Sequence, residues 1–231
     1  VATPNDFGIS GERPTHPELL EWLAQELIRN NYSLKSMHRL ILNSSTWMQS
    51  GQFDEARAAI DRDNLLHWRR APQRLEAEVI RDSLLSVSGL LDPTPFGPGT
   101  LDQNMTRRSI YFFIKRSQLI PVMMLFDWPE HLVSIGQRPV TTIAPQALMF
   151  MNSPQGRRYA GAFADRLGQG TPAEIADNAW LLAFGRQPST AEREAAIRFL
   201  AGPNPTNPPT RDSIVNFCQT LCSMNEFVYV D

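Results

Sequence analysis

Proline decides most about what this chain can fold into. Its ring fixes φ and removes an amide donor, so it stands in the first turn of a helix or ends one. The 231 residues hold 18 prolines, above the ordinary share of about 5%, and they fall at segment ends. Several follow a small polar residue, as in Thr15-His16-Pro17-Glu18, Ser153-Pro154 and Thr171-Pro172. A side-chain oxygen ready for a free amide, then proline, is a helix start. The chain therefore reads as many short helices with ordered loops, interrupted too often for a coiled coil. The expected fold is mainly α, about seven helices around one core, with a short strand-like buried central segment. The expected organisation is a single helical domain, 1–231, with sub-lobes 1–91 and 107–231 joined by loop 92–106.

Taken in order, a first helix runs from Pro17 to about Asn30, with Leu20, Leu23 and Leu27 as its apolar stripe. Ser33 caps a second, with Leu34, Met37 and Ile41 inward, to about Thr46, and the two form a helical hairpin. Gly51 to Asp63 is polar, with a helical turn at Glu55 to Ile60. Gln73 to Leu91 has the clearest amphipathic spacing: Leu75, Val79, Leu84, Val87 and Leu91 inward, Arg74, Glu78 and Asp82 on the wet face. Asp92 to Asn104 is rich in proline and glycine and must be a loop, either ordered around Phe96 or a mobile rim. Further helices are expected over Pro154–Leu167, over Pro172–Phe184 with Gly185 as the stop, and from Ser189 or Thr190 to Ala201. The stretch 202–210 reads as a proline-stiffened linker. A last helix runs from Arg211 to about Met224, followed by extended 227–230.

The most apolar stretch is Arg107 to Pro154. Ile110 to Ile114 suits a buried strand-like segment. One or two helical turns come next over Leu119–Phe126, closed by Pro129. Thr141 or Thr142 then caps a helix whose first turn holds Pro145 and Gln146. The same stretch collects charge. Asp127, Glu130 and His131 form an acid-plus-imidazole cluster in a loop, which makes them the candidate catalytic residues. Arg108 and Arg138, with Thr141, Thr142 and Gln146 at the helix start, would offer cations and free amides to an anionic or carbohydrate ligand. The competing expectation is that Arg108 and Arg138 pair with Asp127 or Glu130 and fasten irregular chain to the core.

Charge and motifs exclude several classes. The formal net charge is −2, so no overall field recruits nucleic acid or acidic membrane. Lys35 and Lys115 are the only lysines, and the remaining cations are arginines, which suit bidentate pairing with carboxylates. No run approaches the ~20 apolar residues of a membrane span, so no direct membrane insertion is expected. No GxSxG, P-loop or GxGxxG is present. The four histidines are scattered, outside HxH or HExxH, and no metal site is expected. Cys218 and Cys222, four apart on one helix, read as buried hydrophobes. The tryptophans read mostly as core anchors, with Trp128 beside Pro129 able to be exposed. The start, Val1-Ala2-Thr3-Pro4-Asn5-Asp6, reads as interior loop rather than an export leader. It predicts a piece of a longer protein.

VATPNDFG (1–8), GERPTHPELLEWLA (11–24), SLKSMHRLILNSSTW (33–47) and RLEAEVIRDSLLSVSG (74–89) resemble one family. So do RRSIYFF (107–113), QRPVTTIAPQALMFMNSP (137–154) and LCSMNEFVYVD (221–231). It is the planctomycete-specific domain of unknown function (PSD1-type) found C-terminal to a cytochrome-c-like module and a second planctomycete-specific module. The resemblance implies a large exported, extracytoplasmic bacterial protein. Its haem would sit in a different module, with no cofactor in this domain. It also implies that the family's domain begins slightly upstream of Val1. No catalytic residue comes with it. The function expected is a non-catalytic helical accessory module that packs against neighbouring modules of the same polypeptide, with the loop Thr3 to Arg13 as the seam and uncovered apolar surface near Val1 to Ile9. The alternatives are an enzyme, hydrolase or oxidoreductase, acting on an extracellular polymer, or a module binding an anionic or carbohydrate ligand.

Overall fold

The computed structural model describes residues 1, 3–6, 8–129, 135–202 and 208–230. The fold is mainly α: among these residues there are eleven helices, eight of nine residues or more, and one pair of two-residue strands. Among the described residues no helix is long and apolar enough to cross a membrane. Contacts divide the chain into two compact units, 1–73 with 135–137, and 74–134 with 138–230. The change falls at 73/74 rather than in loop 92–106, because the helix after residue 76 packs with residues beyond 107.

In the first unit, α1 (Pro17–Arg29) and α2 (Leu34–Leu42) form the expected hairpin. The turn between them holds Asn31 and Tyr32 at left-handed φ of 51° and 58°. Ser33 caps α2 by accepting from the Ser36 amide at 3.3 Å. Thr15 does not cap α1; its hydroxyl meets Nδ1 of His16, the N-cap residue, at 3.0 Å. α3 (Glu55–Ile60) is capped by Asp54. Arg69 then lies 5.2 Å from the ring centroids of both Phe53 and Trp68. The hairpin buries little: α1 has no buried residue and α2 has Met37. Leu20 and Ile41, expected inward, are exposed, as are Trp22 and Trp47. The loop before α1 is exposed and folded on itself, the Glu12 amide donating to Thr3 Oγ1 at 2.8 Å. Val1 and Ile9 are exposed, so the uncovered apolar surface expected near Val1–Ile9 is present at those two residues, and more of it lies on α1 and α2.

In the second unit, β1 (Gln73–Arg74) pairs with β2 (Tyr229–Val230), and the Leu75 amide donates to Val228 O at 2.8 Å. This pairing delays the helix expected from Gln73, so α4 covers Ala77–Ser88 and stops at Gly89, φ 75°. After α4 come α5 (Pro121–Met124), α6 (Ala144–Asn152), α7 (Pro154–Leu167), α8 (Pro172–Phe184), α9 (Thr190–Ala201), α10 (Arg211–Cys222) and α11 (Asn225–Val228). α7 is the central element, in contact with α4, α6, α8 and α10. Ala160 and Ala164 let its neighbours approach, and Phe163 is fully buried. A Cβ on Gly156 would stand 2.7 Å from Phe150 O, so glycine is required where α6 folds onto α7. Ser153, Thr171, Ser189 and Thr210 cap their helices through the N3 amide. Cys218 and Cys222 are free and buried, as expected; burial raises both thiols, Cys222 to about 12.

The inward face of α4 is Ala77, Ile80, Arg81, Leu84, Leu85 and Ser88, with Val87 at its edge. Val79, expected inward, is exposed, and Arg74, expected wet, is buried. The face is turned because a cation occupies its centre. Arg81 is 3% exposed. Its guanidinium donates to Arg107 O at 3.0 Å, to Ser109 Oγ at 3.2 Å and to Met105 O, and lies 4.6 Å from the Phe112 ring centroid. Asp82 accepts from the Ser109 amide and hydroxyl, both at 2.7 Å. These bonds wind Ser109–Tyr111 into a 3-10 turn where a strand-like buried segment was expected. Phe112 is buried, but Ile110 is 74% exposed and Phe113 and Ile114 also face solvent. The proline-glycine loop is ordered, though not around Phe96, which is exposed. Arg107 donates to Pro98 O and Phe96 O while stacked on Tyr111, whose hydroxyl accepts from the Phe96 amide.

Removing the buried guanidinium should be costly. Arg81→Ala leaves two carbonyl oxygens and a buried hydroxyl unanswered beneath α4 and should cost at least about 3 kcal/mol in urea unfolding. Arg81→Lys should recover little, because one ammonium cannot replace the planar fork. The ion network at Arg186 is sensitive to acid. Arg186 donates two hydrogen bonds to Glu192 and two to Glu226. Those from Arg186, with the Ser189 amide, hold the Glu192 carboxyl at about 2, below its ordinary 4.5. A folded value below the unfolded one gives stability that is full above the ordinary carboxyl range and lost as pH falls through the folded value. Glu192→Gln should therefore flatten the fall in melting temperature between pH 4.5 and 2.

Candidate functional site: a cleft along α4

The outer face of α4 lines an open cleft of about 750 Å³, built wholly within the second unit. Helical spacing brings Val79, Asp82, Ser83 and Ser86 to it, with Glu76 and Glu78 at the helix start. The opposite wall is Arg108 to Ile114, and the end is closed by Trp128, Pro129 and Arg138. Arg138 Nη1 stands 2.8 Å from Glu78 Oε2 and 3.2 Å from Glu76 Oε2. Trp128 Nε1 donates to the other Glu78 oxygen at 2.8 Å. Arg108 Nε is 3.5 Å from Asp82 Oδ2.

Burial alone would raise the Glu78 carboxyl, but the hydrogen bonds from Arg138 and Trp128 and the Arg138 charge outweigh it and hold the group below its usual range. The same bond to Glu78 raises Arg138. Glu78 is thus a fixed anion. A general acid at neutral pH needs the opposite shift.

The residues singled out from sequence separate into three groups. Arg108 and Arg138 meet in the cleft, paired with carboxylates from α4 rather than with Asp127. Asp127 is not among the residues that line it. Held at φ 60° after α5, its carboxylate accepts from Arg74 at 2.5 Å, from the Thr141 amide at 2.8 Å and from the Thr141 hydroxyl at 2.8 Å. Gln146, buried in the first turn of α6, donates to Leu125 O and Thr141 O, and its oxygen accepts from the Ile143 amide. Thr142 meets the Tyr229 hydroxyl at 3.1 Å. Ile143, not Thr141 or Thr142, is the N-cap of α6. Asp127, Thr141 and Gln146 therefore form a knot that ties the end of α5 to the start of α6. Glu130 and His131 lie outside the described residues. Among the described residues no group of three or more His, Cys, Asp or Glu is placed to hold a metal ion.

Sequence reasoning missed Glu76, Glu78, Val79 and Asp82 as a cleft wall. Their signal was visible as the polar side of α4. What hid the cleft was the assumption that Val79 and Ile110–Ile114 point inward.

If Asp127 is a structural tie, Asp127→Ala strands the buried Arg74 guanidinium and should cost about 3–5 kcal/mol. The double variant Asp127→Leu with Arg74→Met should be more stable than Asp127→Leu alone. Chemical denaturation of the wild type and the three variants measures the difference; equal stability of wild type and Asp127→Ala would remove the tie.

No curated protein and no solved structure matches this chain. A family model described as "PSD1: Protein of unknown function (DUF1553)" matches residues 1–200, and the chain belongs to that family.

Proposed function

We propose that the chain is a non-catalytic helical interaction module of a larger exported, cytochrome-c-associated planctomycete protein, and that α1 and α2 carry its docking face. The observation that supports this reading is the poverty of burial in the first unit. Leu19, Leu20, Trp22, Leu40, Ile41 and Trp47 are all exposed on a helical hairpin whose first helix buries nothing. A groove of about 970 Å³ is lined by Leu19, Trp22, Leu40, Ile41 and Trp47, with Arg39 and His67 at its polar edge. A contiguous apolar surface on a helical hairpin is characteristic of an interaction site. The occupant we favour is a neighbouring module of the same polypeptide, including the segment upstream of Val1 that the family resemblance implies. Haem would belong to another module, and the compartment would be extracytoplasmic. The enzyme alternative asks for Asp127, Glu130 or His131 together with Arg108 or Arg138 in one cavity; Asp127 does not line the α4 cleft, and the other two lie outside the described residues.

Hydrogen exchange tests the reading. In the longer polypeptide, amides of α1 and α2 should exchange at least about tenfold more slowly than in the 231-residue chain, the effect of about 1.4 kcal/mol of added protection. In the isolated chain, Leu19→Gln with Leu40→Gln should reduce binding of an apolar dye and leave α4–α11 folded. Equal exchange in the two proteins would count against a docking role for this face.

A further inference from the structure

A second surface, separate from the α1–α2 face, is offered by the cleft along α4. We propose that it docks a protein segment carrying a lysine or arginine flanked by aliphatic side chains. Three features lead there. The first is charge. Among the described residues, one end of the cleft sets two carboxylates, Glu76 and Glu78, against one guanidinium, Arg138, while Asp82 further along faces both Arg108 and the buried Arg81. Each arginine already faces a carboxylate, so neither is free for an anion. Glu76 is the least enclosed: its side chain is 58% exposed and its ion-pair partner, Arg138, is shared with Glu78.

The second feature is rigidity. Glu78 is held by Trp128 and Arg138, and Asp82 by the amide and hydroxyl of Ser109. An incoming ammonium or guanidinium would meet anions already fixed in place, which lowers the ordering cost of association. The third feature is the rim. Val79, Ile110 and Ile114 are exposed aliphatic side chains around the charged floor. They are not flat rings, and the Trp128 and Phe112 side chains in the wall are buried. A sugar would find no exposed aromatic platform here, whereas alkyl side chains flanking a cation would match the rim. The cleft is within the size range that encloses small ligands and short peptide turns.

The test uses the 231-residue chain and the peptide acetyl-Ile-Lys-Leu-Leu-amide, with norleucine and glutamate replacing lysine in two controls. Amide chemical shifts of Ser83, Ile110 and Ile114 should move with the lysine peptide. Its affinity should exceed that of the norleucine control by about twofold to fivefold, the range of one exposed ion pair, and should weaken as salt is raised. Glu76→Gln should lower the affinity by a similar factor. Arg108→Gln should raise it, because a competing cation leaves. Both side chains are more than half exposed, so neither change threatens folding. The proposal is overturned if the glutamate peptide binds more tightly, if norleucine equals lysine, or if Arg108→Gln weakens binding. It is equally overturned if sulfate or maltotriose moves these amides while the lysine peptide does not, or if no probe moves them at millimolar concentration.

Discussion

A guanidinium answering backbone carbonyl oxygens is the interaction on which the second unit depends. Irregular chain carries carbonyls that no helix or sheet satisfies, and burying them alone is costly. Arg81 supplies donors for the carbonyls of 105 and 107, Arg107 for those of 96 and 98, and Arg166 for those of 86 and 87 at the end of α4. Each fork serves two oxygens at once, which an ammonium does less well. That gives a physical use to a chain with twenty arginines and two lysines. Burial works against such a cation, and it depresses Arg81 below its ordinary value. The acceptors, and the nearby Asp82 carboxylate, are what make the buried charge tolerable.

Much of the fold was legible in the sequence because helix starts are local. Ser33, Ser153, Thr171 and Ser189 each announce a helix through one oxygen and one amide three residues on, and each does cap one. Cys218 and Cys222 were legible as core residues from their place beside the apolar stripe of α10. What failed was orientation. Val79 and Arg81 differ by two positions on α4, and pattern reading turned the wrong one inward, because an arginine at the centre of an apolar face contradicts composition. Arg81 is acceptable there only through acceptors 24 to 28 residues further along the chain. Ile110–Ile114 failed for the same reason: a β-branched and aromatic run was overruled by Asp82 and Arg81, which wind it into a turn. The candidate site was half legible. Arg108 and Arg138 do share a cleft, but their carboxylates come from α4, while Asp127 is spent on Arg74 and Thr141.

Burial is also unevenly distributed. The second unit closes around Phe163, Met123, Cys218 and a set of small residues, whereas the first leaves its aromatic and aliphatic side chains in water. Family membership fixes neither chemistry nor partner. The two open surfaces differ in kind. The groove of α1 and α2 is walled by leucine, isoleucine and tryptophan, with Arg39, His67 and small polar side chains along its edge, which suits a covering partner. The cleft of α4 sets fixed carboxylates inside an aliphatic rim, which suits recognition of a particular side chain.

Loop 92–104 is gripped at its centre by its main chain, through an arginine, and at its ends by short turns in which Asp92, Thr100 and Asp102 accept from its own amides. Every amino acid brings the same carbonyl to positions 96 and 98, so Arg107 and Tyr111 can hold the path there, provided that glycine stays at 97, where φ is 89°. Its other outward residues are therefore at liberty to drift in evolution, or to be rewritten by design, while the path stays put. At the loop's centre the constraint has been moved largely onto two residues beyond its end.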